Sequence, residues 1–385
     1  MEFDLSWILL GLPLAFGLGW WASRFDLRQL RRDNSQAPRA YFKGLNYLLN
    51  EQQDQAIDAF IEAVQNDPDT SELHFALGNL FRRRGEYHRA VRVHEHLLSR
   101  ADLSRADRER AQHALALDFL KAGLLDRAED ALKPLEGTPF EQEARLARLA
   151  IYERTRDWPQ ATAIAAKLQA AQQGDFSTRQ AHYLCEQALA ASAQGDEASA
   201  RRLLQQAQAV APQAPRPFIE RARQQQRCGE ASAACDTLEQ LAQQAPAALP
   251  LAAPLLLEAA AACGRSAQAQ ALLEQHYQAT PGLDLLMALV QLDDNSGEST
   301  RPGRARYAQH LAHEPSLVAA TQWLAAEPLQ HEEHHGDVQR ALELATKPLL
   351  RYRCAACGFE ARQHFWQCPG CQSWDSYPAR RVEEL

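Results

Sequence analysis

Apolar and small residues recur along most of the chain at helical spacing, in paired segments broken by turns. The clearest unit is Tyr41–Pro68, YFKGLNYLLNEQQDQAIDAFIEAVQNDP. Gly44 and Tyr47 fall on a predicted first helix. Ala56, Phe60 and Ala63 fall on one face of a second, at i, i+4 and i+7. Pro68 stops the unit. Small residues at Gly44, Ala56 and Ala63 let two antiparallel helices approach closely, and Tyr47 and Phe60 fill the volume beside them. Adding 34 residues lands on the same marks, so that Gly44, Tyr47 and Ala56 become Gly78, Phe81 and Ala90. Weaker copies follow. They are marked by Ala116, Phe119, Gly123 and Ala128, by Tyr152 and Ala161, and by Ala188, Gly195, Ala200 and Pro212. Then come Ala222, Gly229, Ala234 and Pro246, followed by Gly264, Ala269 and Pro281, with a degenerate copy running to Pro315.

The pattern resembles a tetratricopeptide repeat, a helix pair of 34 residues, and a generic bundle would lack the fixed period. Each pair buries one face only by stacking on the next, so residues 37–315 form one predicted array. The resemblance implies a right-curving superhelix whose groove is lined from each first helix. Those positions carry Tyr41, Leu45 and Leu48, then Glu72, Phe75, Asn79 and Arg82, then Arg110, His113, Leu117 and Leu120. Such a groove could hold a partner's helix or extended segment, or a segment of this same chain. Spacing slips near 99–108 and 170–180 predict longer loops. Arg82, Arg83 and Arg84 read as a solvated helix end, where cations are favoured.

The first 36 residues break the pattern. Leu5 to Ser23 contains no charged residue, and at ~1.5 Å per residue it reaches about 28 Å, close to the hydrocarbon thickness of a bilayer. Trp7, Trp20 and Trp21 sit near its ends, where an aromatic belt belongs. Residues 1–23 are therefore a predicted transmembrane anchor and 24–36 a basic linker with Arg24, Arg28, Arg31 and Arg32. That basic flank places the body on the cytoplasmic side. A cleaved signal peptide would begin basic and end small, whereas this start is acidic at Glu2 and Asp4. Gly11, Ala15 and Gly19 make a stripe that would let another membrane helix pack closely.

A net charge of -8 argues against a general nucleic-acid binder. Four of the eight cysteines crowd between 354 and 371. The others, Cys185, Cys228, Cys235 and Cys263, are scattered through helical sequence and read as small buried hydrophobes in a reducing compartment. Residues 316–350 read as a helical and polar join. His331, Glu332 and His335 match H-E-x-x-H, the spacing of a zinc protease. However, Pro328 precedes the motif, Gly336 follows where a helix would end, and no third ligand is evident. Asp293-Asp294-Asn295-Ser296-Gly297 reads as a loop without calcium-ligand spacing.

Cys354-x2-Cys357, ten residues, then Cys368-x2-Cys371 complete the chain's chemistry. Each pair makes a tight turn, and two facing turns supply four thiolates in a tetrahedron. Full ligation leaves no open position, so Cys354, Cys357, Cys368 and Cys371 are predicted ligands of one structural ion. Zinc is the first choice and iron the second, since four thiolates suit both. Residues 351–381 have too little core to fold alone. Arg351, Arg353 and Arg362 are near enough in sequence to offset the sulfur charge, and Trp366 and Trp374 are predicted to cover the turns. The stretch resembles a rubredoxin-like zinc ribbon. The predicted fold class is thus all-α: a transmembrane helix, a tetratricopeptide-repeat superhelix and a small C-terminal metal ribbon.

That order of parts resembles the lipopolysaccharide assembly protein B family of Gram-negative bacteria. The resemblance is carried by Tyr41, Phe42, Gly44, Leu45, Asn46, Tyr47 and Leu48, by Tyr352-Arg353-Cys354 with Cys357-Gly358-Phe359, and by Cys368-Pro369-Gly370-Cys371 with Trp374. It implies an inner-membrane adaptor without catalysis of its own. Its expected partners are the membrane-anchored protease FtsH, the deacetylase of the lipid A pathway, and a further inner-membrane protein met through the transmembrane helix. Its expected role is to limit lipopolysaccharide synthesis by promoting breakdown of that deacetylase. The rival readings are a passive scaffold for lipopolysaccharide enzymes and, more remotely, a zinc hydrolase using His331, Glu332 and His335.

Overall fold

In the computed structural model the described residues are 16, 42–47, 49, 50, 52–66, 70–296, 302–325 and 334–385. The predicted anchor, apart from Phe16, and the basic linker lie outside them, as do Tyr41, Leu48 and His331–Glu333. Contacts divide the chain into two compact units, Met1–Thr155 and Arg156–Leu385.

In the first unit residues 42–47 are helical, followed by α1 (Gln53–Asn66), α2 (Ser71–Arg83), α3 (Tyr87–Ser99), α4 (Arg105–Ala122), α5 (Leu125–Leu132) and α6 (Glu141–Thr155). The repeat is visible in its packing. A Cβ on Gly44 would lie 3.0 Å from the Phe60 ring, and one on Gly78 would lie 2.5 Å from the His94 ring. Both pairs are offset by the repeat length, so glycine is required where the second helix sends a ring into the first. Ala56, Ala63, Ala90 and Leu97 are fully buried on the same face. Gly78→Ala should therefore lower unit stability by about 1–3 kcal/mol through overpacking. Gly336→Ala, whose Cβ would meet open space, should be neutral or stabilising by about 0.5 kcal/mol. Thermal unfolding of the two variants checks this, and equal shifts would refute it.

The groove reading needs correction. Phe75 is buried in a core with Leu97 and Ala111 rather than lining a groove, and the Arg110 guanidinium lies 4.0 Å above its ring while pairing with Glu72. Arg82 is not a solvated helix end. Its Nη1 donates to Asp118 Oδ1 at 2.8 Å, and Nη2 donates to Asn79. Asp118 Oδ2 faces His94 Nδ1 at 2.5 Å, and both of those side chains are fully buried. The carboxylate at position 118 thus joins α2, α3 and α4 across two repeats. Arg83 is exposed, as expected of a helix end.

Histidines give this unit a pH dependence. His74 is buried, its Nδ1 3.1 Å from the Thr70 carbonyl oxygen. Burial lowers its pKa, outweighing that carbonyl. Burial likewise lowers the pKa of His113, which stacks on Phe140 at 4.8 Å. Well above pH ~6.5 both imidazoles are neutral whether the chain is folded or not. Below it the unfolded chain takes up protons that the folded one resists, so stability is lost from the unfolded pKa down to the lower folded one. The thermal midpoint should fall between pH 7.5 and 5.5, and the double variant His74→Gln/His113→Gln should show a shallower fall. An unchanged slope would refute the assignment.

The second unit contains α7 (Trp158–Ala170), α8 (Ser177–Ala193), α9 (Glu197–Val210), α10 (Pro215–Arg227), α11 (Ala231–Gln244), α12 (Leu249–Cys263), α13 (Ser266–Ala279), α14 (Leu283–Ser296), α15 (Pro302–His313), α16 (Leu317–Ala325) and α17 (His335–Thr346). The ribbon follows, with β1 (Tyr352–Arg353) antiparallel to β2 (Glu360–Ala361). The marker alanines at 161, 188, 200, 222, 234 and 269 are buried. Gly229 and Gly264 take φ of +78° and +74° in the turns between paired helices, a conformation that a Cβ would strain. The stretch Pro246–Cys263 is apolar and long enough to cross a membrane. Its helix α12 is instead the centre of the core, with Leu249, Ala252, Ala253, Leu256 and Ala260 buried, which is why it is apolar nearly all round.

Two loop readings are overturned. Asp293 to Ser296 complete α14, and the Asp293 carboxylate pairs with Arg306. Gly336 does not end a helix but lies in the first turn of α17, which starts at His335. The H-E-x-x-H stretch is therefore split. Its last histidine opens a helix, and its first three residues lie outside the described chain.

Candidate metal centre and the docked ribbon

The two cysteine turns are built alike. The Cys354 amide donates to the Phe359 carbonyl at 2.9 Å, and the Gly358 amide donates back to the Cys354 carbonyl at 2.9 Å. The Cys368 amide donates to Ser373 at 2.9 Å, and the Gln372 amide returns to Cys368 at 2.8 Å. The residue four beyond the first cysteine is left-handed in both, Gly358 at φ +78° and Gln372 at φ +60°. A glycine marks the first turn in the sequence. In the second the left-handed position is a glutamine, and the neighbouring Gly370 does not fill that role.

These turns bring together the four predicted ligand residues. The Sγ atoms of Cys354, Cys357, Cys368 and Cys371 lie within 4.8 Å of one another. Cys354–Cys371 is 3.8 Å and Cys357–Cys368 is 3.7 Å. A tetrahedron with ~2.3 Å metal–sulfur bonds has edges of about 3.8 Å, so the donor set fits one ion held by four thiolates. Such an ion would supply a structural cross-link between the two turns.

The electrostatics agree. Burial raises the Cys354 pKa, but the Ser376 hydroxyl and the amides of Cys357 and Ala356 outweigh it and bring it to about 6. The Ser373 hydroxyl and amide lower that of Cys371. The Phe359 amide lowers that of Cys357, yet burial and the neighbouring thiols push it to about 12. Bare sulfurs this close share their protons unevenly, and a cation is what lets all four ionise.

Two sequence expectations are corrected here. Arg351 and Arg353 do not offset the sulfur charge, because both pair with Glu360. Hydroxyls do that work, Ser376 Oγ at 3.2 Å from Cys354 Sγ and Ser373 Oγ at 3.3 Å from Cys371 Sγ. Trp366 and Trp374 do not cover the turns. Tyr352, Tyr377 and Phe365 pack beside Cys354 and Cys368, while both tryptophans face helices.

That turning-outward docks the ribbon. Trp374 stacks on His182 at 4.7 Å and meets Trp158 and Tyr183 edge-on at 6.0 and 5.9 Å. His182 Nε2 lies 2.9 Å from both carboxylate oxygens of Asp375. Its Nδ1 accepts from Arg216 at 3.4 Å, which assigns the remaining proton to Nε2. Arg216 lies with its guanidinium 6.0 Å from the Trp366 ring. On the other side Arg381 donates to both oxygens of Asp284, Nη2 at 2.7 Å and Nε at 2.9 Å to Oδ1, and Nε at 3.1 Å to Oδ2. The Tyr352 hydroxyl donates to the same carboxylate at 2.8 Å.

The last residues cap helices. Glu383 accepts from the Leu317 amide at 2.6 Å and the Ser316 hydroxyl at 2.7 Å, at the start of α16. Glu384 accepts from the Leu283 amide at 2.7 Å, at the start of α14. Helix N-termini leave amides unsatisfied and favour negative charge. Sequence reasoning had no signal for Glu383 and Glu384, or for Asp284 and His182, because their partners lie 65 to 193 residues away. Between ribbon and helices a cleft of about 430 Å³ opens, lined among others by Ile219, Arg223, Pro250, Leu251, Arg362 and Trp366.

Comparison with known proteins places these parts. A family described as a rubredoxin metal binding domain matches residues 352–377. Among solved structures, a tetratricopeptide repeat protein from Parabacteroides merdae is 16% identical, with a TM-score of 0.33, covering 68% of this chain and 99% of its own. Lipopolysaccharide assembly protein B of Haemophilus influenzae is 27% identical, with 96% of each chain covered. Lipopolysaccharide assembly protein B of Escherichia coli K12 is 30% identical, with 99% of this chain and 100% of that protein covered. At that identity over the whole length, the chain belongs to the lipopolysaccharide assembly protein B family.

Proposed function

We propose that this protein is an inner-membrane adaptor of lipopolysaccharide biosynthesis that brings the lipid A pathway deacetylase to the protease FtsH. The full-length match to proteins named for lipopolysaccharide assembly carries the reading. The uncharged Leu5–Ser23 stretch would hold the chain at the membrane beside FtsH, and its small-residue face would meet a further inner-membrane protein. The helix pairs would hold the deacetylase, and tethering raises the effective concentration of bound partners to ~mM for short flexible links. The protein makes and breaks no bonds itself. Cys354, Cys357, Cys368 and Cys371 hold a structural ion, zinc in preference to iron, that keeps the ribbon folded on its helices.

Depleting the protein and following the deacetylase by pulse-chase tests this. The expected result is a deacetylase half-life several-fold longer, with the effect absent when FtsH is inactive. An unchanged half-life would replace the adaptor with a passive scaffold. Glu332→Gln should leave turnover unchanged, and full loss on that substitution would instead require a hydrolase.

A further inference from the structure

The four cysteines outside the ribbon are not equivalent. Cys185 and Cys235 are buried as expected, but Cys228 is exposed and Cys263 is half-buried. Cys235 lies near the start of α11 and Cys263 is the last residue of α12. Their sulfurs are 3.5 Å apart although 28 residues separate them. That is sulfur–sulfur contact, and a disulfide at ~2.05 Å needs a further approach of about 1.5 Å. Cys263 closes its helix next to Gly264, at a turn with φ of +74°, and its partial exposure gives a small oxidant access to one of the two sulfurs. Cys235 is 1% exposed, and its sulfur lies against that of Cys263.

We propose that Cys235 and Cys263 are a redox modification site, in which Cys263 is the peroxide-reactive thiol and Cys235 the resolving thiol of a reversible disulfide. The Cys263 thiol gives up its proton, its thiolate attacks one oxygen of hydrogen peroxide, the O–O bond breaks, and the leaving hydroxide takes that proton and departs as one water, which makes Cys263 a sulfenic acid. The Cys235 sulfur then attacks that sulfenic sulfur, the S–O bond breaks, the Cys235 proton leaves with the hydroxyl, and a second water is released. Two thiols are oxidised by two electrons in all and one peroxide is reduced, and a cellular dithiol reverses the step by exchange. The geometry also says what the bond would do. It would tie the start of α11 to the end of α12, the helix whose Leu251 packs against the ribbon and whose core also receives Trp366. Oxidation stiffens the platform on which the ribbon sits.

The test uses the full chain in detergent with its ribbon metal retained, treated with hydrogen peroxide, alkylated, digested and analysed by mass spectrometry. The expected product is a linked pair of peptides containing Cys235 and Cys263, two hydrogens lighter than the free thiols, which dithiothreitol returns to the reduced form. Oxidised protein should also unfold at a higher temperature than reduced protein. In Cys235→Ser, Cys263 should be trapped as a sulfenic acid by dimedone. In Cys263→Ser, Cys235 should stay reduced. The proposal is overturned if wild-type Cys263 proceeds to sulfinic acid while Cys235 stays a thiol, if Cys235 links to another cysteine, or if both remain reduced while exposed Cys228 is oxidised. The wild-type linkage decides the matter even if a variant fails to fold.

Discussion

Cys368→Ser should strip the metal from the protein and release the ribbon from its helices. Cys368 is fully buried, and a serine hydroxyl neither ionises at neutral pH nor offers a soft donor. The ribbon's own core is small, made by Tyr352, Cys354, Cys368 and Tyr377 with Leu251, Ala361 and Phe365 beside them. A module of this size cannot stand on that burial alone. Structural zinc contributes about 10–16 kcal/mol in small zinc-folded peptides, which exceeds what docking contacts can replace. Metal analysis should fall from one ion per chain to near none. Trp374 and Trp366 should become solvated and shift their emission to the red, while helix content stays nearly constant. One ion retained, or unchanged amide protection over 352–377 after its loss, would contradict this picture of the ribbon.

Asp284→Ala should weaken docking without touching the metal. The Asp284 carboxylate is 8% exposed and answers a guanidinium that is 16% exposed. It also accepts the Tyr352 hydroxyl. Removing it leaves a charge and a hydroxyl buried without their acceptor, and breaking a buried pair this way costs about 3–5 kcal/mol. Hydrogen exchange near 350–354 and 381–385 should quicken roughly 100-fold or more, because each 1.4 kcal/mol is about tenfold. Tyr352→Phe removes only one hydrogen bond and should cost about 1 kcal/mol. If both variants exchange alike, the ion pair is not what holds the ribbon down.

Whatever repeats within one helix pair was legible beforehand. Gly44 against Phe60 follows from a small residue facing a ring within one pair, and Gly78 keeps its place one period on, although the ring it meets, His94, was not among the repeat's marks. The buried alanines at 161, 188, 200, 222, 234 and 269 follow for the same reason. The cysteine spacing likewise names four sulfurs that one short segment can bring together. What failed was inference about side chains answering distant residues. Arg82 reads as a helix end until Asp118, 36 residues on, is placed beside it. Asp293 reads as loop because a run of acids and amides ends in glycine, yet Arg306 holds it in a helix. Trp366 and Trp374 read as covers for their own turns because nothing local names His182 or Trp158.

The order of residues by itself determined that helices pair and stack, where glycine must sit, and which sulfurs converge. These are decided by neighbours within about one repeat, where helical geometry fixes who faces whom. Only the tertiary structure decided where the ribbon lands, through Asp375 with His182, Arg381 with Asp284, and Glu383 and Glu384 on two helix starts. In stacked repeats small rotations from one pair to the next add up over the array, so partners far apart in sequence are set by the whole path. No local pattern of apolar and polar positions encodes where that path brings the chain's end.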